Sequence, residues 1–442
     1  MAKGKFSTHV WQEWFANNRF DKFTGEEIVI GVDCGKIAFY GAVMGDSWKA
    51  FDVVYFERND IKKFIETLKK TFSQPVTLVL EPTGTYSDPL IHQARQAGFK
   101  VVRIEGSRVN KAATVFDGIP SLHDGKSAYL LARLYLCDVG KDWKQSSEEA
   151  LDLRALVNIE QITSKTIQPF WGYLEAYTAR HWPEVTEYLS MPTITFLTLI
   201  STYGSAQNVA QNAQEAAAMM RRVGGHLLTQ EKIDAVIQSA RTTIGTPPGL
   251  QETLGLQFIA GSALDLTRRQ NEIQKTLENA AKTDPRTQPL VDVCGAKTAA
   301  ITVGILGALT DYEHPRALEK ACGLNLCEYS TGKTKQDKQL EQRGLHISKR
   351  GPKRVRSLLF FLAMRQINPK STAFCEVAQA WYHARLKRNG NNKMKALIAL
   401  MRKLTSALWW IARKAAYDPE KLYDVRNLQR QGFLKNYVSS AA

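Results

Sequence analysis

The chain has 442 residues, 44% apolar and 10% aromatic, which fits a globular protein of two or three domains. Lysine and arginine total 59 against 43 acidic residues, a formal charge of +16; this exceeds what solubility requires and points to a polyanionic partner, most often nucleic acid, over a merely solvated basic surface. The six cysteines form no C-x-x-C pair and have no histidines at matching spacing, so they read as reduced thiols; with no signal peptide and no membrane-length apolar run, the expectation is a cytoplasmic protein.

Residues 1–27 are polar and aromatic without a clear period, a leader in which "VWQEWF" suggests a short docking helix. At residue 28 the pattern changes. "EIVIGVDC", "AFYGAVMG" and "AFDVVYF" are three short strands, the last two separated by the turn "GDS". "DIKKFIETLKKTF" is an amphipathic helix with apolar residues at 61, 64, 65 and 68. A buried strand "VTLVLEP", a helix "SDPLIHQARQAG" and a further strand "KVVRIE" follow, and "SLHDGKSAYLLARL" opens the next helix. Strands and helices in this order predict a mixed α/β layer over residues 28–146. Residues 147–285 carry helical patterns only, as in "EALDLRALVNIEQITSKTIQ" and "LDLTRRQNEIQKTLENAAK". They suit either an extended coiled-coil arm or helices packed in one globule. From 286 to 420 a second compact region is expected, mostly helical, interrupted by the polar loop "NLCEYSTGKTKQDKQLEQRGLHISKRG"; residues 421–442 read as a tail.

Asp33 closes the first strand and Glu81 closes the later buried one. Acids at strand ends project where open α/β sheets bind ligands. Asp124 stands at the start of the next helix with Ser127 three residues on, so both project from one side. Converging carboxylates suit phosphoryl transfer, which needs hard oxygen ligands for magnesium, ideally for two ions about 4 Å apart. The competing readings are a turn or cap role for Asp33 and a first-turn charge favoured by the helix dipole for Asp124.

The segments "IGVDCGK", "LVLEPTGTY" and "DGKSAYLLARL" together resemble the DEDD transposases of insertion sequences, the family of Piv-type invertases and bridge-RNA-guided recombinases. "VCGAKTAAITVGILG", "KACGLNLCEYSTGK" and "LHISKRGPKRVRSLLF" resemble the family's C-terminal domain. The resemblance implies an N-terminal RuvC-like domain of RNase H fold, a helical middle section and a mostly α-helical C-terminal transposase domain. It places metal ligands at Asp33, Glu81 and Asp124, and a fourth at Ser127, where the family has an acid. Magnesium is the implied cofactor. DNA, a guide RNA of the bridge type and further copies of the chain, as dimer or tetramer, are the implied partners, and association with the nucleoid follows.

In the family a serine just before the loop glycine is the nucleophile that links covalently to DNA. Thr331 holds that position here, and Ser330 precedes it. The threonine methyl restricts χ1 and crowds an in-line attack, so either hydroxyl is a candidate, against a turn in which both bond the backbone. Around the loop, Lys333, Lys335, Lys349, Arg350, Lys353, Arg354 and Arg356 form the densest positive cluster, expected to contact phosphates. Departures at two catalytic positions leave a second reading open, a nucleic-acid-binding relative with impaired chemistry.

Overall fold

The computed structural model describes residues 6–17, 20–81, 84–116, 118–328, 345–434 and Tyr437, and it divides into two units, 1–145 and 146–442.

In the first unit the elements run β1 (Thr8–Val10), α1 (Trp11–Asn17), β2 (Ile28–Cys34), β3 (Ala38–Met44), β4 (Phe51–Glu57), α2 (Ile61–Thr71), β5 (Val76–Leu80), α3 (Asp88–Gln96), β6 (Lys100–Arg103), α4 (Gly106–Ala112), α5 (Asp124–Tyr135) and β7 (Lys141–Asp142). Seven strands form one sheet in the order β1-β4-β3-β2-β5-β6-β7. β2, β3 and β4 are an antiparallel meander, whereas β5 and β6 run parallel to β2. The period of two sorts β2: Ile28, Ile30 and Val32 enter the core under α1, α2 and α3, and Val29 enters the core under α5. α2 buries Ile61, Phe64, Ile65 and Leu68, the spacing read from the sequence. Each such side chain contributes about 1.5–3 kcal/mol by leaving water.

Residues 8–17 and 20–23 are part of this unit rather than a leader. β1 pairs in parallel with β4, Thr8 opposite Val53, and Trp11, Trp14 and Phe23 are buried in the core beside α2. The Trp14 indole N–H donates to Asp52 at 2.7 Å. Aromatics that fill the end of a core need no helical period, which is why the pattern was uninformative.

One contact decides where α5 lies. Gly31, in the middle of β2, sits directly beneath it: a Cβ there would come within 2.5 Å of the Ala132 amide nitrogen and closer still to the Ala128 carbonyl. Only glycine lets the helix backbone approach the strand this closely.

The second unit is helical. α6 (Glu148–His181) and α12 (Leu250–Thr283) are each 34 residues, about 50 Å long at 1.5 Å per residue. They pair antiparallel. Leu153 and Val157 of α6 share a core with Leu277 and Ala281 of α12, while Leu174 shares a second core with Leu256 and Ala260. Between them α7 (Val185–Tyr188), α8 (Ile194–Tyr203), α9 (Ala206–Gln211), α10 (Ala213–Gly224) and α11 (Gln230–Thr242) complete that second core. The middle section is thus both of the alternatives, a two-helix arm with a packed globule at its tip. At the arm's other end lie α13 (Val291–Cys294), α14 (Ala296–Leu306), α15 (Pro315–Ala321), α16 (Lys353–Ile367), α17 (Glu376–Arg388), α18 (Lys393–Ile411), α19 (Pro419–Tyr423) and α20 (Val425–Arg430). Two short strands, β8 (Leu326–Glu328) and β9 (Leu345–Ile347), pair antiparallel there. The expected tail is not one as far as residue 434: Tyr423, Val425, Leu428 and Leu434 are buried in the C-terminal core.

Buried Glu160 of α6 fastens the arm to this core. It pairs with Lys297 at 3.0 Å and with Arg354, which also donates to the Val157 carbonyl at 3.0 Å. Removing one partner of such a buried set costs about 3–5 kcal/mol, because the remaining charge is stranded.

Candidate active site

Asp33 and Glu81 are brought abreast by register. Val32 of β2 lies opposite Leu80 of β5 in a parallel pair, so the next residues of each strand emerge side by side at the same sheet edge. Alternation puts both on the face covered by α5, since Leu78 and Leu80 belong to the opposite core with Ile30 and Val32. α5 begins at Asp124, capped by His123, whose Nδ1 accepts from the Lys126 amide at 3.3 Å. The cap occupies one of the two ring nitrogens of His123.

The electrostatics show the acids acting on one another. The Asp33 carboxyl is pushed up to about 6, first by burial, then by the negative charges of Asp124 and Glu81. Hydrogen bonds from the Ser127 hydroxyl and from the Cys34 amide partly offset the rise. Burial also raises the Glu81 carboxyl, which lies against Gly106 at the start of α4; a Cβ on that glycine would come within 2.9 Å of Oε2 and nearer to the rest of the carboxyl. Asp33, Glu81, Asp124 and Ser127 therefore form one neighbourhood. Three carboxylates and a hydroxyl are the donor set a hard divalent cation takes. As they stand they are neighbours rather than a closed cage: among the described residues no three His, Cys, Asp or Glu side chains are gathered closely enough to hold a metal ion.

The sequence pattern did not single out three residues of this site. Gly31 and Gly106 make room for α5 and for the Glu81 carboxyl, and a glycine inside the β-branched run "IVIGVDC" was the available signal for the first. Lys126 is the third, buried in the first turn of α5, with its ammonium donating to the Ile119 carbonyl at 2.7 Å and so tying down the loop before the helix.

The second expected site is only partly described. Ser330, Thr331, Lys333 and Lys335 lie outside the described residues. β8 and β9 bring together the two ends of that stretch, with Cys327 opposite His346. Lys349, Arg350 and Lys353 are exposed just beyond it. Arg354 and Arg356 are used differently: Arg354 is held by Glu160, and Arg356 donates to the Gly351 carbonyl at 2.6 Å and the Cys322 carbonyl at 3.4 Å. Their guanidiniums serve internal partners, so of the basic residues expected there Lys349, Arg350 and Lys353 are the exposed ones among the described residues. Of the aromatics, Trp381, Tyr382 and Trp409 are buried, and Trp410 is 54% exposed.

A mixed sheet with acids at the ends of adjacent parallel strands, answered by an acid that opens the covering helix, defines a RuvC-like α/β domain followed by a helical remainder. Two family models agree with it: the DEDD transposase model of the IS110 type matches residues 30–170, and the one described as Transposase IS116/IS110/IS902 family matches residues 291–376. The chain belongs to the DEDD transposases of the IS110 family, and its domains are those of a DNA transposase. A search of curated proteins finds no match. Among the described residues no helix is long and apolar enough to cross a membrane.

Proposed function

We propose that the chain is a DNA recombinase in which Asp33, Glu81 and Asp124, with Ser127 as a neutral fourth donor, hold magnesium, and a hydroxyl of "YSTG" forms a covalent link to DNA. The reading is carried by the placement of Asp33 and Glu81 on neighbouring parallel strands, with Asp124 near enough to raise the proton affinity of Asp33. Magnesium would supply charge neutralisation at the phosphate and at the leaving oxygen. The protein's own residues do the remainder. The Thr331 oxygen attacks phosphorus; a protein–phosphate ester forms as the strand's P–O bond breaks, and the departing oxygen takes up a proton. A hydroxyl of the second strand then attacks the ester, rejoining DNA and releasing the threonine. Ser330 is the alternative nucleophile. Lys333, Lys335, Lys349, Arg350 and Lys353 contact backbone phosphates. A bridge-type guide RNA selects the sites, and a homo-oligomer holds the paired ends, as family resemblance suggests.

The test is strand exchange on a supercoiled plasmid with magnesium and the co-purified RNA, which is sequenced. A nicked suicide substrate traps the adduct for mass spectrometry. Thr331→Ala abolishes the adduct with binding intact, and Ser330→Ala keeps it. If the wild type forms no adduct and Thr331→Ser does, the chain is a binding relative whose chemistry has lapsed. Ser127 favours that second reading, because it stands in the acid neighbourhood without a charge.

A further inference from the structure

The C-terminal helices enclose a cleft of ≈ 770 Å³ between α17, α18 and the segment from Ala415 to Leu422, within the range of small-ligand sites. Arg402, Lys403, Ser406 and Trp410 line it from one face of α18, and Trp381 and Arg385 stand one turn apart on α17. Most of its polar groups are already used. Glu319 accepts from Arg402 Nε at 2.9 Å and from the Ser406 hydroxyl at 3.2 Å. Asp418 caps α19 by accepting from the Lys421 amide at 3.0 Å, and the Lys403 ammonium donates to the Leu422 carbonyl at 2.8 Å.

Arg385 is the exception. Its guanidinium lies over Trp381 at 5.0 Å and meets no carboxylate among the described residues. Burial, with Arg388 and Arg402 nearby, holds its pKa below the usual value; burial and Arg385 do the same to Lys403. The recess thus sets Arg385, Arg402, Lys403 and Lys421 against two carboxylates, Glu319 and Asp418, and keeps an excess of positive charge. Beside that charge the wall is aromatic. Trp409, the neighbour of Trp410, is packed away with its indole N–H donating to the Tyr312 carbonyl at 2.8 Å, but Trp410 is 54% exposed. An open indole that shares one cleft with a guanidinium lacking an ion pair matches a base joined to a phosphate, since bases stack on aromatic side chains and guanidinium pairs with phosphate oxygens.

We propose that this cleft seats one unstacked nucleotide, its base against Trp410 and its phosphate against Arg385. The inference deepens the reading of the chain as a nucleic-acid enzyme and rests on it for the source of the nucleotide: an unpaired position in a bound strand, or a free mononucleotide of the same chemistry.

The experiment uses the full chain, freed of co-purified nucleic acid. Trp410→Ala and Arg385→Gln are titrated with a short single-stranded RNA, with the same RNA carrying one abasic position, and with adenosine monophosphate. Circular dichroism verifies that each variant is folded. If Arg385→Gln does not fold, the exposed Lys421→Gln takes its place as the charge variant. Binding of the intact RNA weakens about 5- to 150-fold in Trp410→Ala, the range of one lost base stack, and the abasic RNA shows no difference between wild type and variant. A photoreactive base in the RNA crosslinks to Trp410. Monophosphate binding that depends on both residues, with RNA binding that does not, supports the cleft and assigns it to the free nucleotide. Equal affinities of wild type and both variants for RNA and monophosphate overturn the proposal. Strand exchange is assayed in parallel. Wild-type exchange with binding of both RNA and monophosphate independent of Trp410 and Arg385 defeats the cleft alone, whereas Trp410-dependent binding without exchange defeats the recombinase reading alone.

Discussion

Replacing Gly31 by alanine adds one methyl group at the contact between β2 and α5. That carbon would sit 2.5 Å from the Ala132 nitrogen, 3.0 Å from the Ala132 Cβ, and closest of all to the Ala128 carbonyl. Backbone cannot swing aside as a long side chain can, so α5 has to lift by about 1 Å or the strand has to bend. The helix is poorly placed to yield, because its own residues Ala128 through Ala132 are all buried. Overpacking of this kind costs about 1–3 kcal/mol. In a strand interior, alanine is otherwise the better residue by about 0.5–1 kcal/mol. The neighbouring Gly41 supplies the control: a Cβ there meets Ile30 at 3.4 Å and Phe56 at 3.7 Å, ordinary contacts. Urea unfolding of the two variants should therefore move in opposite directions, Gly31→Ala losing stability and Gly41→Ala holding or gaining. Lifting α5 also carries Asp124 and Ser127 away from Asp33, so magnesium affinity measured by calorimetry should fall in Gly31→Ala and stay level in Gly41→Ala. A Gly31→Ala protein as stable as the wild type, with unchanged metal affinity, would refute the argument that this contact sets the site.

The Asp33 carboxyl titrates near 6 in the folded protein against 3.8 for the free side chain, so the native state holds the proton more tightly and stability falls as pH rises through that window. Asp33→Asn, without metal, should gain about 1–2 kcal/mol at pH 8, after allowance for partial exposure, and nothing at pH 3.5; equal gains in chelator-containing melts at both pH values would contradict this. Ser127→Asp adds a fourth acid, so without metal the Asp33 carboxyl should rise further, while magnesium binding tightens; calorimetry showing no change would place residue 127 outside the ligand set. Neutralising Lys349, Arg350 and Lys353 together should flatten the log–log salt dependence of DNA binding by about 2–3 units, whereas Arg354→Gln should instead lower the melting temperature through stranded Glu160. A full set of salt titrations with unchanged slope would move the phosphate surface elsewhere.

The first unit was legible because its signals are local. Alternation in "IVIGVDC" and "VTLVL", the apolar spacing of α2 and a polar loop before Asp124 each name an element, and strand-end acids name an edge. Residues 8–17 and 20–23 were not legible, since β1 is three residues long and its partner, β4, lies some forty residues away. Nothing near Trp11 or Trp14 shows that their environment is the core beside α2. The two long helices were evident as helices, but their antiparallel pairing depends on which end of each meets which core. Arg354 and Arg356 show the limit for charge: within one basic run, the sequence does not distinguish a guanidinium that meets Glu160 from a lysine that meets solvent. The end of the chain is illegible for a similar reason, because Tyr423 and Leu428 look like scattered apolar residues until α17 and α18 are there to receive them.

The antiparallel arm also sets an order of events during synthesis. Leu153 and Val157 belong to a core whose other members begin at Leu277 and continue through Val303 to Leu434. At about 5–20 residues per second, the ribosome needs roughly 7–30 s after Val157 before α14 exists to cover it. The sheet of the first unit is by then complete, and so is the tip globule, whose last contributors are on the first turns of α12. For that interval α6 has one end packed and the other bare, with Glu160 awaiting both Lys297 and Arg354. The second unit can therefore close from its tip toward its base, and a nascent chain released before α14 would expose an unsatisfied acid and an apolar helix start to any protease able to reach them.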